Sequence, residues 1–261
     1  ADGNIDDVSV YNAELSAAEI TTIFNSGEPT DLSTFSLKSF AFDGIDDYLP
    51  LAASTNAGTN STFSAWVKRA DPTNSYDIVV GEGTYAVTWS VWMNGSLQLN
   101  YRIGSIYKTW SDVTTLSIIG TTNWFHICLV RSGDSIELFL NGSSMGSKTG
   151  YGTGTDTRID RIGARDSGSL FYEGNIDDIS MFNVSKSSVE VTAIYNSGKP
   201  SDLSEETGLV GYWKFDDAIY NGATTEFSVP DSSENSNTGT TANMDFVDLE
   251  TSAPLSPVGY Y

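Results

Sequence analysis

Four pairs of adjacent aspartates are the residues best placed for metal chemistry: Asp6/Asp7, Asp46/Asp47, Asp177/Asp178 and Asp216/Asp217. Each pair lies at a strand-like start or just past a glycine turn, and Asp43 stands beside one of them in Asp43-Gly44. Calcium takes six to eight hard oxygens, drawn from carboxylates and from the carbonyls of tight turns. Neighbours on one strand point to opposite faces, so Asp177 and Asp178 could hold one ion only at a bulge. The same residues would also serve as turn caps, or as a charged edge that discourages strand aggregation.

Flat aromatic rings offer a second chemistry, stacking on the faces of sugars. The chain has six tryptophans and thirteen tyrosines. Trp89 and Trp92 differ in strand phase, so one points inward and the other outward. Trp92, with Tyr101, Tyr107 and Trp110 in the polar hairpin and loop beyond it, forms the candidate sugar-contact set. The same rings would also make ordinary cross-strand pairs. Hydrolysis of glycosides needs two carboxylates across one cleft, and Glu82 and Glu137 stand isolated in the sequence. His126, the single histidine, sits between Phe125 and Ile127-Cys128 and reads as a structural group inside a strand. No catalytic residues are expected. Arg158, Arg161 and Arg165 form a local basic run that reads as ion pairing within the domain.

These side chains must be positioned mostly by strands. Charged residues are 18%, hydrophobic residues 39%, and there are 24 glycines, a profile of turns and half-buried strands. Candidate strands are 35–42, 62–69, 78–80, 86–93, 97–103, 124–131, 135–141 and 158–162. Turn pairs such as Asn94-Gly95, Gly133-Asp134 and Asn141-Gly142 separate several of them. Clean alternation in Ile127/Leu129 and Ile136/Leu138/Leu140 predicts an antiparallel β-sandwich. A repeat offset by 171 residues relates 3–33 to 174–204, with 18 of 31 positions identical. Each copy reads as a strand and then a short helix. Ser16/Glu19 and Ser187/Glu190 have capping-box spacing, and Gly27 and Gly198 stand where the helix should end.

Composition excludes other classes. The formal charge is −21, from 34 acids against 13 bases. So acidic a surface argues against nucleic acid, whose phosphates are met by Lys and Arg. No apolar run approaches the ~18–20 residues of a membrane helix, so no membrane insertion is expected. One cysteine rules out an internal disulfide framework.

Several segments resemble the laminin-G-like, concanavalin-A-like jelly rolls. They are Ser39-Phe40-Ala41-Phe42-Asp43-Gly44-Ile45-Asp46-Asp47-Tyr48, Phe63-Ser64-Ala65-Trp66-Val67-Lys68, the hairpin from Asn123 to Gly142, and Gly174-Asn175-Ile176-Asp177-Asp178-Ile179. The resemblance implies an all-β jelly-roll domain over 34–204. It also implies that Asp177, and Asp6 in the repeat, precede a closing strand and help to hold a structural calcium. Trp66, Trp124 and Trp213 fall on packing positions by the same resemblance. Gly208-Leu209-Val210-Gly211-Tyr212-Trp213 and Asp231-Ser232-Ser233 are similar to the opening of such a module. The chain is therefore expected to be a window from a tandem array: a closing element at 1–33, a domain at 34–204, and the start of another at 205–261; the other arrangement is that the two ends form part of a composite sheet or swap between neighbouring chains. The resemblance thus implies a non-catalytic, extracellular or virion-surface adhesion module that binds a glycan or a protein through rim loops. The alternative is a structural subunit of a fibre, spike or filament, assembled on neighbouring modules or subunits through 1–33 and 205–261.

Overall fold

The computed structural model describes residues 38–83, 89–166 and 169–251. Its first strands are β1 (Lys38–Asp43), β2 (Leu49–Gly58), β3 (Asn60–Arg69), β4 (Asp77–Gly81), β5 (Trp89–Met93), β6 (Leu99–Ile103) and β7 (Ile106–Trp110). Helix α1 (Val113–Ile119) precedes β8 (Phe125–Ser132), β9 (Ser135–Leu140), β10 (Ser143–Thr149) and β11 (Thr157–Ile162). A small hairpin, β12 (Ala164–Asp166) and β13 (Ser169–Phe171), leads to β14 (Glu173–Phe182) and helix α2 (Ser188–Tyr195). The chain then adds β15 (Leu209–Trp213), β16 (Ile219–Asn221), β17 (Glu226–Val229), β18 (Gly239–Thr240) and β19 (Leu249–Thr251).

The strands form two antiparallel sheets. One runs β10-β9-β8-β3-β14-β1-β19, with β15 also bonded to β14; the other runs β16-β17-β18-β2-β11-β4-β5-β6-β7. This is the antiparallel β-sandwich that the alternation predicts, in the jelly-roll form that the resemblance implies. Its core lies between the sheets: Ile127, Leu129, Ile136, Leu138 and Leu140 from β8 and β9 belong to the same buried cluster as Val91, Met93, Leu99 and Ile159. Burying each such side chain contributes ~1.5–3 kcal/mol. Gly133-Asp134 and Asn141-Gly142 make the turns on either side of β9. Asn141 (φ 49°) and Gly142 (φ 73°) are both left-handed, as a tight hairpin requires.

Helix α2 starts as its sequence predicts. Ser187 accepts from the Glu190 amide, and the Glu190 side chain accepts from the Ser187 amide, closing the capping box. The end differs from expectation. Asn196 takes the left-handed position (φ 47°), two residues before Gly198. Asparagine tolerates this conformation, so the helix stops after two turns.

The boundary expected at 204/205 is corrected. Residues 209–251 are built into both sheets of the same domain. β15 pairs with β14 (Ile179 opposite Trp213), β18 pairs with β2 (Gly239 opposite Leu51), and β19 pairs with β1 (Phe40 opposite Leu249). Trp213, Phe215, Phe227 and Val229 are buried in the common core. Without this segment the second half of β14 would lose its partner on one side. The repeat at 1–33 lies outside the described residues.

Candidate functional site

Strands β4 to β7 present one outer face of the nine-stranded sheet, and their registers align its side chains in two rows. Ile78, Trp92, Asn100 and Thr109 stand opposite one another across the four strands. Two residues along, Ser90, Arg102 and Tyr107 do the same. The alternate residues Trp89, Val91, Met93, Leu99, Tyr101 and Ile103 face the core. Period-2 alternation thus divides an apolar inner layer from a polar and aromatic outer one.

The outer layer forms a groove of about 740 Å³. Trp92 is half-buried and Tyr107 is 60% exposed, with ring centroids 6.2 Å apart and planes at 51°. Tyr76, 47% exposed, adds a third ring to the wall. A chain of fixed polar groups runs beside them. The Thr109 hydroxyl donates to Asn100 Oδ1 (2.6 Å), Asn100 Nδ2 donates to the Gln98 carbonyl (3.3 Å), and Asn94 Nδ2 donates to Gln98 Oε1 (3.0 Å). Arg102 and Arg165 complete the lining, and among the described residues no Asp or Glu takes part in it. Such an arrangement suits a neutral or anionic polyhydroxyl ligand laid on rings and hydrogen-bonded by preset amides and guanidinium groups.

Of the sugar-contact set, the structure brings Trp92 and Tyr107 together and removes the other two. Tyr101 is 2% exposed, and its hydroxyl accepts from Trp89 Nε1 at 2.5 Å. Trp110 is 1% exposed and donates from Nε1 to the Gly146 carbonyl at 2.9 Å. Both belong to the core because Trp110 pairs with Leu99 and shares its inward phase, as does Tyr101. Tyr76, Asn100, Arg102 and Arg165 also line the groove, and no local sequence pattern marks them as ligand contacts. The two rows become visible only when the strand registers are known.

The proposed metal ligands also divide. A bulge does occur in β14, with the register shifting between Asp177 and Ser180 and Asp178 at φ 46°. It turns both carboxylates inward rather than toward one ion. Asp177 is buried and accepts from the Asp178 amide (2.9 Å), while Asp178 accepts from the Tyr212 hydroxyl (2.7 Å). Burial, opposed by that hydrogen bond and aided by the Asp216 charge, pushes Asp178 up to about 7. These two groups do not fit a solvent-fed cation site. Asp43 belongs to a different group, with Asp46 and Asp47, whose carboxylate oxygens lie within 4.8 Å of one another. Asp43 Oδ1 accepts from the amides of Ile45 (2.7 Å) and Asp46 (3.2 Å), and Asp47 Oδ2 accepts from the Asp43 amide (3.0 Å). Burial, with added repulsion from Asp43, Asp248 and Asp46, raises Asp47 to about 7. Three hard carboxylates on one turn are a donor set of the kind calcium accepts. Asp6 lies outside the described residues.

Two groupings elsewhere resemble catalytic pairs. Ser64 Oγ and His126 Nε2 are 2.7 Å apart, but both residues are buried beneath α2, and burial pushes the imidazole down to about 3. Glu82 is raised to about 7 by burial and by the nearby Asp160 charge, yet it too is buried and lies outside the groove lining. The arginines of the basic run take separate roles. Arg158 pairs with Asp156 (3.3 Å) and Arg161 with Asp160 (2.7 Å), whereas Arg165 lines the groove.

Comparison with known proteins agrees with this architecture. The chain is similar to the adhesion G-protein coupled receptor V1 of Danio rerio, 22% identical over 162 residues, which cover 59% of this chain and 3% of the receptor. A Bacteroides ovatus protein described as a candidate carbohydrate-binding protein superimposes with a TM-score of 0.60 at 16% identity, covering 83% of this chain and 60% of that one. A heptameric SAP-like pentraxin of Limulus polyphemus gives 0.50 at 16% identity, covering 60% of this chain and 81% of its own. This chain therefore spans a small part of the receptor and three fifths of the Bacteroides protein. Residues 43–192 match the laminin-G profile of the concanavalin A-like lectin/glucanases superfamily, and the chain belongs to that family.

Proposed function

We propose that this domain is a non-catalytic carbohydrate-binding module of an extracellular or virion-surface adhesion protein, and that its ligand lies in the groove on β4–β7. The observation that carries this reading is the pairing of Trp92 and Tyr107 above a row of hydrogen-bonded Asn, Gln and Thr side chains. Rings supply stacking area, and the amides, already oriented by one another, meet sugar hydroxyls with little ordering cost. Cleavage of a glycosidic bond needs an acid and a base facing one cleft, and the described lining residues supply no carboxylate for either role. The family and the adhesion receptor relative are consistent with binding at a surface, and with a glycan rather than a protein as the ligand once the groove's chemistry is added. Calcium, in this reading, sits on Asp43, Asp46 and Asp47, where it would neutralise charge and stiffen the turn between β1 and β2.

The alternative, a structural subunit joined through its ends, draws no support from 209–251, because those strands are spent within their own domain. Screening the protein on a glycan array tests the proposed function. Trp92→Ala and Tyr107→Ala should each reduce binding of any retained glycan at least tenfold while leaving the fold intact. Undiminished binding in both variants would move the site elsewhere.

A further inference from the structure

Beside the open groove, and sharing Trp92 with it, is a smaller recess of about 50 Å³ lined by Tyr76, Ile78, Ser90, Trp92, Arg102 and Arg165. We propose that this recess receives a single carboxylate, so that the module prefers acidic sugars, such as sialic or uronic acids, set within an otherwise neutral chain. The inference rests on the groove being a carbohydrate site and adds the class of sugar.

Three observations converge on it. First, the recess holds two of the chain's six arginines, in a protein of charge −21. The other four stand outside it. Arg69 is buried on Asp77 (2.6 Å), Arg131 is buried on the carbonyls of Gly133, Gly152 and Thr155, and Arg158 and Arg161 hold Asp156 and Asp160. Arg102, by contrast, makes no ion pair among the described residues. Its Nε donates to the Gly104 carbonyl at 2.5 Å, which fixes the guanidinium plane by one edge. A guanidinium fork held this way matches a carboxylate bidentately, as an ammonium cannot.

Second, the hydroxyl of Ser90, in the same recess, is buried and has no hydrogen-bond partner; the residue is 1% exposed. A buried hydroxyl left unpaired costs roughly 1–3 kcal/mol. An acceptor oxygen entering the recess between Ser90 and Arg102, which stand opposite each other on β5 and β6, would satisfy it.

Third, the spacing suits a pyranose. Arg102 lies directly across from Tyr107 and two residues along from the Trp92–Asn100 row. Neighbouring strands are ~4.8 Å apart, so a ring on Trp92 and Tyr107 brings its acidic substituent within reach of Arg102. The recess is too small for a whole sugar and large enough for a carboxylate. The surrounding charge narrows the class further. A polyanion would be repelled by the protein as a whole over the Debye length of ~10 Å at 0.1 M salt, whereas one carboxylate flanked by neutral sugars meets chiefly the local guanidinium of Arg102.

The test is a glycan array and then calorimetric titration, using matched pairs: lactose against sialyllactose, and neutral xylo-oligosaccharides against those bearing one glucuronic acid. A pair whose acidic member binds at least tenfold tighter is expected, with Arg102→Gln bringing that ratio close to one and Arg102→Lys leaving it intermediate. Ser90→Ala should lower the ratio less. Circular dichroism and melting of each variant separate lost folding from lost preference. Equal binding of neutral and acidic members, or an acidic preference undiminished in Arg102→Gln, overturns the inference while the carbohydrate site stands. Stronger binding of heparin than of any singly charged glycan also overturns it. If no sugar binds at all, the groove reading itself fails, and this inference with it.

Discussion

The two sheets of the sandwich each carry aromatic and polar side chains on their outer faces, yet they meet opposite fates. On the eight-stranded sheet, Trp66 stacks on Tyr195 with centroids 5.7 Å apart at 23°, and His126 packs against both rings. Val191 of α2 closes over Cys128, Val130 and Phe139, and Tyr212 joins Phe182, Ile194 and Leu203. Gly142 makes the lid possible: at φ 73°, a Cβ there would stand 2.8 Å from the Tyr195 ring. On the nine-stranded sheet no such segment among the described residues crosses β4–β7, and Trp92, Tyr107 and Tyr76 meet solvent. Ring and histidine chemistry therefore do not mark a site by themselves. What decides is whether the chain returns to cover them.

The largest expected effect comes from removing part of the covered side. Deleting residues 205–261 strips β14 of β15, exposes Ile179, Met181 and Phe182, and takes Trp213 and Phe227 from the core. The truncated protein should be aggregated or molten, with lost near-ultraviolet dichroism and strong dye binding. A cooperative melt close to that of the full chain would show that the segment is dispensable.

Next in size is a matched pair of tryptophans. Trp66→Ala on the covered face should cost about 3–5 kcal/mol, and Trp92→Ala on the open face less than about 1 kcal/mol, by urea unfolding. Similar losses for both would erase the distinction between the faces.

Proton linkage gives a moderate effect. Asp47, Asp178 and Glu82 have folded-state values near 7, each raised chiefly by burial. A carboxyl group whose value is raised by folding stabilises the native state below its unfolded value and loses that contribution as pH climbs through the folded one. Stability should therefore fall between about pH 4.5 and 7. His126, lowered to about 3, works the opposite way below its unfolded value of about 6.5, but it is outnumbered, because burial also raises Asp77 and Asp216 to about 6. The melting temperature should be several degrees higher at pH 5 than at pH 7.5, and a maximum at pH 7.5 would contradict these shifts.

Calcium should give the smallest change. At pH 7.5 millimolar calcium is expected to raise the melting temperature by about 2–4 °C, the shift of roughly 1 kcal/mol. Chelator or Asp46→Asn should cancel it, and at pH 5, with Asp47 protonated, it should vanish. A response undisturbed by Asp46→Asn would place the ion elsewhere.

The same contrast between local and returning chain governs what was legible in the sequence. The β8–β9 hairpin, the capping box of α2 and the outward phase of Trp92 are local patterns, and all appear as expected. Tyr101 alternates with Leu99 and Ile103, a signal of inward phase that its polar surroundings masked. Trp110 is harder, because Lys108 shares its phase in β7 and breaks the apolar pattern. Strand β2, Leu49–Gly58, lacks a β-branched run and carries two register shifts against β11, so nothing local announces it. The groove depends on residues from three strands, β5 to β7, with the turns between them, Tyr76 and Arg165. The place of 209–251 depends on which β14 edge is vacant. Neither is a property of any single stretch of chain.

The pairing of Lys38 with Thr251 has a mechanical consequence. The polypeptide enters β1 and leaves β19 at adjacent points of one antiparallel ladder. Tension applied between those points would not shear the sandwich along its strands. It would open β1 from β19 one hydrogen bond at a time, like a zip, at low force. A domain held in this way behaves as a bead hanging from a tether and is poorly suited to bear strain in series.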